Sequence, residues 1–140
     1  MHVEGEFEPE SWTDARERYE ALAPAAQTVV REIVRAMSFD REEYDRRVTA
    51  DVVETARQAL FASLLAVRVD SMTAFEEWRE DQPYDVRVVG SDNVDRVAFH
   101  DAPFAETAVA ATFQNEPEAA IGTLRRMAFN RIYREELCGE

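Results

Sequence analysis

The sequence is 140 residues long and carries 29 acids against 16 basic residues, a formal charge of −13 at pH 7. That length predicts one domain, large enough to fold without a metal or a disulfide, and the single cysteine, Cys138, has no internal partner. Every basic residue is arginine, which excludes a phosphate-binding loop built on lysine; the longest apolar run, Ala59–Val67, is broken by Ser63 and is too short to cross a membrane.

Residues 2–8 alternate, with Val3, Gly5 and Phe7 on one side and His2, Glu4, Glu6 and Glu8 on the other. Period two predicts a short half-buried strand. One histidine and three glutamates on a face are metal-ligand types, but these carboxylates match the background of the chain, and charge on an edge strand resists edge-to-edge pairing. The reading kept is a solvated acidic edge, with no metal. The same segment has neither a basic nor an apolar leader region, so the expectation is a soluble cytoplasmic protein.

A first helix is predicted from Ser11 or Thr13 to about Leu22, with Asp14 and Glu17 in the turn where the dipole favours acids. Pro24 suits a helix start, and Val29, Val30, Ile33, Val34 and Met37 then form one apolar stripe on a second helix, 24–37. Asp40 caps a short polar helix to about Val48, with Tyr44 and Val48 its apolar pair. The fourth helix, 50–65, is expected at the centre of the core. Val52, Val53, Ala56, Leu60 and Leu64 share one face, and Phe61 and Leu65 extend it to a second side.

Beyond Leu65 the period changes to that of strands. Val67–Val69 reads as a strand, and Ser71 or Thr73 caps a short helix to about Glu80 anchored by Phe75 and Trp78. Residues 85–90 and 96–100 flank the turn cluster Ser91-Asp92-Asn93 and are expected to pair as a hairpin. Residues 107–113 alternate and read as a further strand. Asn115 is the expected cap of a last helix reaching about Leu137, with Pro117 in its first turn and Gly139 just beyond. The fold class is therefore α+β: a helical N-terminal half, a small mostly antiparallel sheet and a long C-terminal helix, all in one domain spanning 1–140.

Chemistry-bearing patterns are few. There is no paired-cysteine spacing and no H-E-x-x-H. No catalytic residue and no cofactor is assigned. Cys138 lies close to the C-terminus, where nothing in the sequence fixes the geometry of a nucleophile. His100-Asp101, at a predicted strand end with Arg96 nearby, is the alternative site of a ligand binder or enzyme, since imidazole titrates near neutral pH. Set against it is the plainer reading of a half-exposed histidine at a turn.

The terminal helix is the one locally basic segment. Ile121, Leu124, Ala128 and Ile132 form its core stripe, and Arg125 and Arg131 flank that stripe, placed to pair with acids. Arg126, Phe129 and Tyr133 lie together on another face with Arg134 beside them. Arginine with aromatic residues is the composition of interface cores, so this face is the candidate protein contact, self-association included. The same arginines offer an alternative, a nucleic-acid- or ribosome-associated role, since bases stack on such surfaces.

Absence of lysine in so acidic a chain is the composition of proteins working in multimolar salt, where a dense carboxylate surface stays hydrated and salt screens its repulsion. The segments AQTVVRE (26–32), VVETARQALFASLL (52–65), AATFQNE (110–116) and TLRRMAFNRIYRE (123–135) resemble an uncharacterised haloarchaeal domain-of-unknown-function family of small acidic cytoplasmic proteins. That resemblance implies a high-salt cytoplasm and a single whole-chain domain. It implies no activity and no site residues.

Overall fold

The computed structural model describes residues 2–38 and 40–139. The fold is α+β: a helical first half packs on a five-stranded sheet, with a long helix towards the C-terminus. Chain order is β1 (His2–Glu4), α1 (Trp12–Ala21), α2 (Ala23–Ala36), α3 (Arg41–Arg47), α4 (Ala50–Leu64), β2 (Val67–Ser71), α5 (Met72–Glu80), β3 (Val86–Val89), β4 (Arg96–Ala102) and β5 (Thr107–Phe113). The terminal helix then runs as α6 (Pro117–Ala128), a π-helical turn (Phe129–Tyr133) and α7 (Arg134–Cys138).

Capping fixes most helix starts. Ser11 accepts from the Asp14 N–H, Asp40 from Glu43, Thr49 from Val52 and Ser71 from Ala74, each satisfying a donor that the first turn leaves free. Asn115 does not cap α6. Glu116 takes that position without a side-chain bond, because Pro117 starts the helix and removes one donor from the first turn.

The strand order is β1-β2-β4-β5-β3, antiparallel throughout except for β3 on β5. This corrects the expected hairpin of residues 85–90 with 96–100. Strand β5 is buried on both faces, by Val109 and Ala111 on one and Ala108 and Ala110 on the other, and so takes the place between β3 and β4. The true hairpin is β4–β5, turned by a 3-10 segment at Pro103–Ala105 with Glu106 in the left-handed region.

Two cores result. On one face of the sheet, α5 seals Phe75 and Trp78 against Phe99, with ring centroids 5.1 and 4.7 Å from it. On the other, α1, α4 and the terminal helix gather around Phe61, whose ring meets those of Phe7, Tyr19, Phe129 and Tyr133 edge-on at 5.3 to 5.8 Å. These T-shaped arrangements set the positive ring edge against the negative face and add to the apolar burial.

Three expectations about faces change here. In α4 it is Phe61, Ala62 and Leu65 that are buried; Val53, Ala56, Leu60 and Leu64 are half-buried and Val52 is exposed. That helix serves two neighbours, the central core and α2, and the core takes the side carrying the phenyl ring. In α2, Ala26, Val30 and Val34 are buried, yet Val29, Ile33 and Met37 of the same stripe are 36%, 54% and 56% exposed. Strand β1 ends at Glu4, because Gly5 turns the backbone at φ +98 and lets Phe7 drop into the core instead of continuing the alternation. No helix among the described residues is long and apolar enough to cross a membrane.

Candidate functional site

Alternation along β4 sends Arg96 and His100 to the helical face of the sheet and Asp101 to the α5 face, so the geometry does not bring the three together. His100 is not half-exposed at a turn. It is 1% exposed, and both ring nitrogens are engaged. The Ala66 carbonyl, 2.7 Å from Nδ1, can only accept, so Nδ1 carries the proton. Nε2 is then the bare nitrogen and accepts from the Tyr133 hydroxyl at 2.7 Å. Burial lowers the His100 pKa, since a charged imidazolium would lose its hydration, and burial likewise raises that of Tyr133. The pair is a neutral, satisfied polar link between β4 and the terminal helix.

Asp101 is buried on the opposite face and accepts from the Tyr84 hydroxyl. Burial raises its pKa, and that hydrogen bond together with the charge of Arg68 works against the rise. Arg68 itself pairs with Glu8 at 2.8 Å. Arg96 is exposed at the start of β4, its guanidinium 5.7 Å from the centre of the Phe113 ring.

The Arg126, Phe129, Tyr133, Arg134 face divides. Phe129 and Tyr133 are 3% and 0% exposed, so neither ring is open to a partner, and the aromatic contact face expected from helical spacing is absent. Phe129, at the end of regular α6, is covered by the rings of Tyr19 and Phe61 from α1 and α4. The π-helical turn that follows is wider and slips the register, so that Tyr133 enters the core with Ile132. Ile121, Leu124, Ala128 and Ile132 are buried as the sequence predicts.

Arg126 and Arg134 stay exposed. Arg134 donates to Asn130 Oδ1 and to Gln58 Oε1, both at 3.1 Å, and lies 5.8 Å from the Phe129 ring centre. With Thr55 and Gln58 of α4 the two arginines rim a shallow cleft of about 210 Å³. Arg125 has no ion pair among the described residues; its Nε donates to the Leu65 carbonyl at 3.0 Å. Arg131 is exposed, and no ion pair of it occurs among the described residues.

With the fold and these side chains in view, comparison with known families is decisive for membership. The family of unknown function DUF5809 matches residues 6–134. The chain belongs to DUF5809. The matched segment of this DUF5809 member holds the His100–Tyr133 link, α2 and the cleft; His2, Glu4 and Cys138 fall outside it. No curated protein and no solved structure matches the chain.

Two other regions bear on function. Cys138 sits in the last turn of α7, half-buried, with the Tyr19 hydroxyl and the Gln58 amide each 3.4 Å from its sulfur. Tyr19 also donates to Glu54, and Arg57 reaches the Tyr19 carbonyl at 2.9 Å, so the thiol belongs to a polar seam holding α7 to α1 and α4. At the N-terminus His2 meets Glu4 at 3.0 Å while Glu8 is taken by Arg68. Among the described residues no three His, Cys, Asp or Glu side chains converge as a metal site would require. A broad open groove, about 560 Å³ between β5 and α6, is lined by residues such as Val89, Thr112, Gln114, Ala119 and Thr123 and contains no histidine, cysteine or arginine.

Of these features, the exposed stripe of α2 is the one that sequence periodicity pointed away from. Its spacing is that of a core face, and only the crossing of α4 decides which half is covered.

Proposed function

We propose that this DUF5809 member is a non-enzymatic protein-interaction module of a high-salt cytoplasm, docking through the outer side of its α2–α4 helical layer. One observation carries this reading. Six large hydrophobic residues are exposed among the described residues, and five of them, Val29, Ile33, Met37, Tyr44 and Val52, fall between positions 29 and 52. Scattered exposed apolar residues need no explanation, whereas Val29, Ile33 and Met37 recur every fourth residue along one side of α2, and a row of that kind supports contact with another macromolecule. The saturated hydrogen bonding of His100 supports the non-enzymatic part, because a base with both nitrogens bound internally cannot take a proton from a substrate.

The test is capture from native lysate in molar KCl, with wild type and Ile33→Asp compared side by side. The reading expects a protein retained by the wild type and lost by the variant, with unchanged circular dichroism. Equal retention by both chains would overturn it.

A second reading places a polyanion on the terminal helix. Its support is that Arg126, Arg131 and Arg134 are exposed along a stretch, 119–134, with no acid. Nucleic-acid absorbance that co-purifies with the wild type and is lost with Arg126→Ala plus Arg131→Ala would favour it over a protein partner.

A further inference from the structure

We propose that the cleft between α4 and the terminal helix binds a small organic oxyanion, a carboxylate or a phosphate on a short body, held by Arg126 and Arg134. This site is independent of the α2 surface. It also differs from the open basic strip of the second reading, since Arg131 takes no part in it.

Sequence spacing builds the site. Arg126, Asn130 and Arg134 recur every fourth residue and so line one side of the terminal helix. Facing them, α4 presents Gln58, Ala59 and Ala62, and the short alanine side chains leave a space where bulkier ones would fill the seam between two helices. The space is about 210 Å³. Sites for drug-sized ligands run to roughly 300–1,000 Å³, so the occupant that fits here is a smaller molecule.

Arg134 is oriented before any ligand arrives. Its Nε donates to Asn130 Oδ1 and its Nη2 to Gln58 Oε1, both at 3.1 Å. Gln58 is itself held, with its amide nitrogen 3.4 Å from the Cys138 sulfur. Of the five N–H donors of a guanidinium, two are spent in this way and the rest are left for a ligand. A side chain already fixed loses less entropy when it binds. Neither Arg126 nor Arg134 has an ion pair among the described residues. The described lining of the cleft holds these two arginines and no acid, on a chain that carries 29 acids.

Salt decides the kind of anion. The net charge of −13 opposes an approaching anion at low ionic strength. At about 1 M salt the screening length falls to ~3 Å, and only groups in contact with the ligand act on it. Chloride then competes for every exposed cation. A spherical ion cannot match the parallel N–H pair of a guanidinium edge as two oxygens of one carboxylate or phosphate can. A bidentate oxyanion is therefore the class of ligand that an oriented arginine holds against chloride.

Nitrogen-15 NMR of the full chain in molar KCl, read at the arginine Nε–Hε resonances, tests this with inorganic phosphate and butyrate titrated separately. At least one probe is expected to saturate, shifting Arg126 and Arg134 while Arg131, exposed on the same helix but outside the cleft, stays unchanged. Saturation by phosphate alone assigns a phosphate head, and saturation by butyrate assigns a carboxylate with an apolar body. Arg126→Gln and Arg134→Gln are each expected to weaken binding about tenfold or more, through loss of charge-assisted hydrogen bonds. Ala59→Leu keeps both arginines and fills the cleft from an exposed position. It is expected to abolish saturation while the chain keeps its folded spectrum. Shifts that stay linear with both probes, or that are equal at Arg131, would reveal an open basic strip that attracts any anion and would overturn the site. Saturation untouched by Ala59→Leu would overturn it as well.

Discussion

His100 shows what a single buried residue contributes when its hydrogen bonds are complete. Its pKa in the folded chain lies below the ordinary 6.5, because the sealed site opposes the imidazolium. The direction of the stability effect follows. Above pH 6.5 the ring is neutral in both folded and unfolded chains, and nothing is lost. As pH falls through 6.5 the unfolded chain takes up the proton first, so folding weakens until the folded ring titrates too. Asp101 acts with the opposite sign: its folded pKa is raised above 3.8, so the folded chain holds that proton longer and is relatively favoured on acidification. A difference measurement separates the two. His100→Gln keeps a donor for the Ala66 carbonyl and an acceptor for Tyr133, has no titrating ring, and leaves Asp101 in place. Between about pH 7.5 and about pH 5.5, urea unfolding is expected to show the wild type losing more stability than His100→Gln. The extra slope has a ceiling of about 1.4 kcal/mol per pH unit below 6.5, the value for one proton. Parallel slopes would mean that His100 titrates alike in both states and is not sealed.

At the scale of elements, local chemistry was legible and neighbours were not. Ser11, Asp40 and Ser71 act as caps, the first and last in place of the alternatives Thr13 and Thr73, and the stripe Ile121, Leu124, Ala128, Ile132 is core; the Thr49 cap of α4 was not read from the sequence. The α+β order followed from the change of period after Leu65. Pairing of β3 with β5 was not readable, because a turn cluster such as Ser91-Asp92-Asn93 reports a reversal of the chain and says nothing about a strand inserting between its arms. The π-helical turn left no periodic signal either. A constant 100° per residue kept Tyr133 beside Arg126, whereas the turn carries its hydroxyl to His100. In α2 and α4 the sequence marked apolar faces correctly but not how much of each a neighbour would cover, and the candidate surface rests on that difference. Two glycines give a test at this scale. Gly5 sits at φ +98 where β1 leaves the sheet, and a Cβ there would lie 2.5 Å from the Leu65 carbonyl oxygen and 2.8 Å from Nη2 of Arg125. Gly122 is inside α6, and a Cβ there meets nothing within 4 Å. Gly5→Ala is therefore expected to cost about 1–3 kcal/mol through backbone strain and displacement of the Arg125 bond. Gly122→Ala is expected to stabilise by about 0.5–1 kcal/mol through helix propensity. Chemical unfolding of both variants reads the two signs, and a Gly5→Ala chain as stable as the wild type would remove the close approach at the end of β1.

For the whole molecule the question is which of two opposed effects of salt prevails. Screening weakens ion pairs and weakens self-repulsion together. The arginine–carboxylate pairs among the described residues are Arg16–Glu136, Arg35–Glu32, Arg57–Glu54, Arg68–Glu8 and Arg79–Glu76. Three of them join neighbours on one helix, so only Arg16–Glu136 at 3.8 Å and Arg68–Glu8 at 2.8 Å tie distant segments together. Partly exposed pairs of this kind contribute about 0–1 kcal/mol each, so screening both removes little. Against them stand 29 acids on a chain of charge −13, most facing water and one another. Repulsion outweighs the attraction of these pairs, and salt is expected to stabilise. The unfolding midpoint should rise steeply from low ionic strength to about 1 M KCl, where the screening length is about 3 Å and little repulsion remains to screen. Guanidinium is unsuitable for the measurement because it is itself a salt; thermal unfolding by circular dichroism across a KCl series is the direct test. A midpoint independent of KCl would show that the acid surface is not held against its own charge, and would take with it the high-salt setting inferred from the missing lysines.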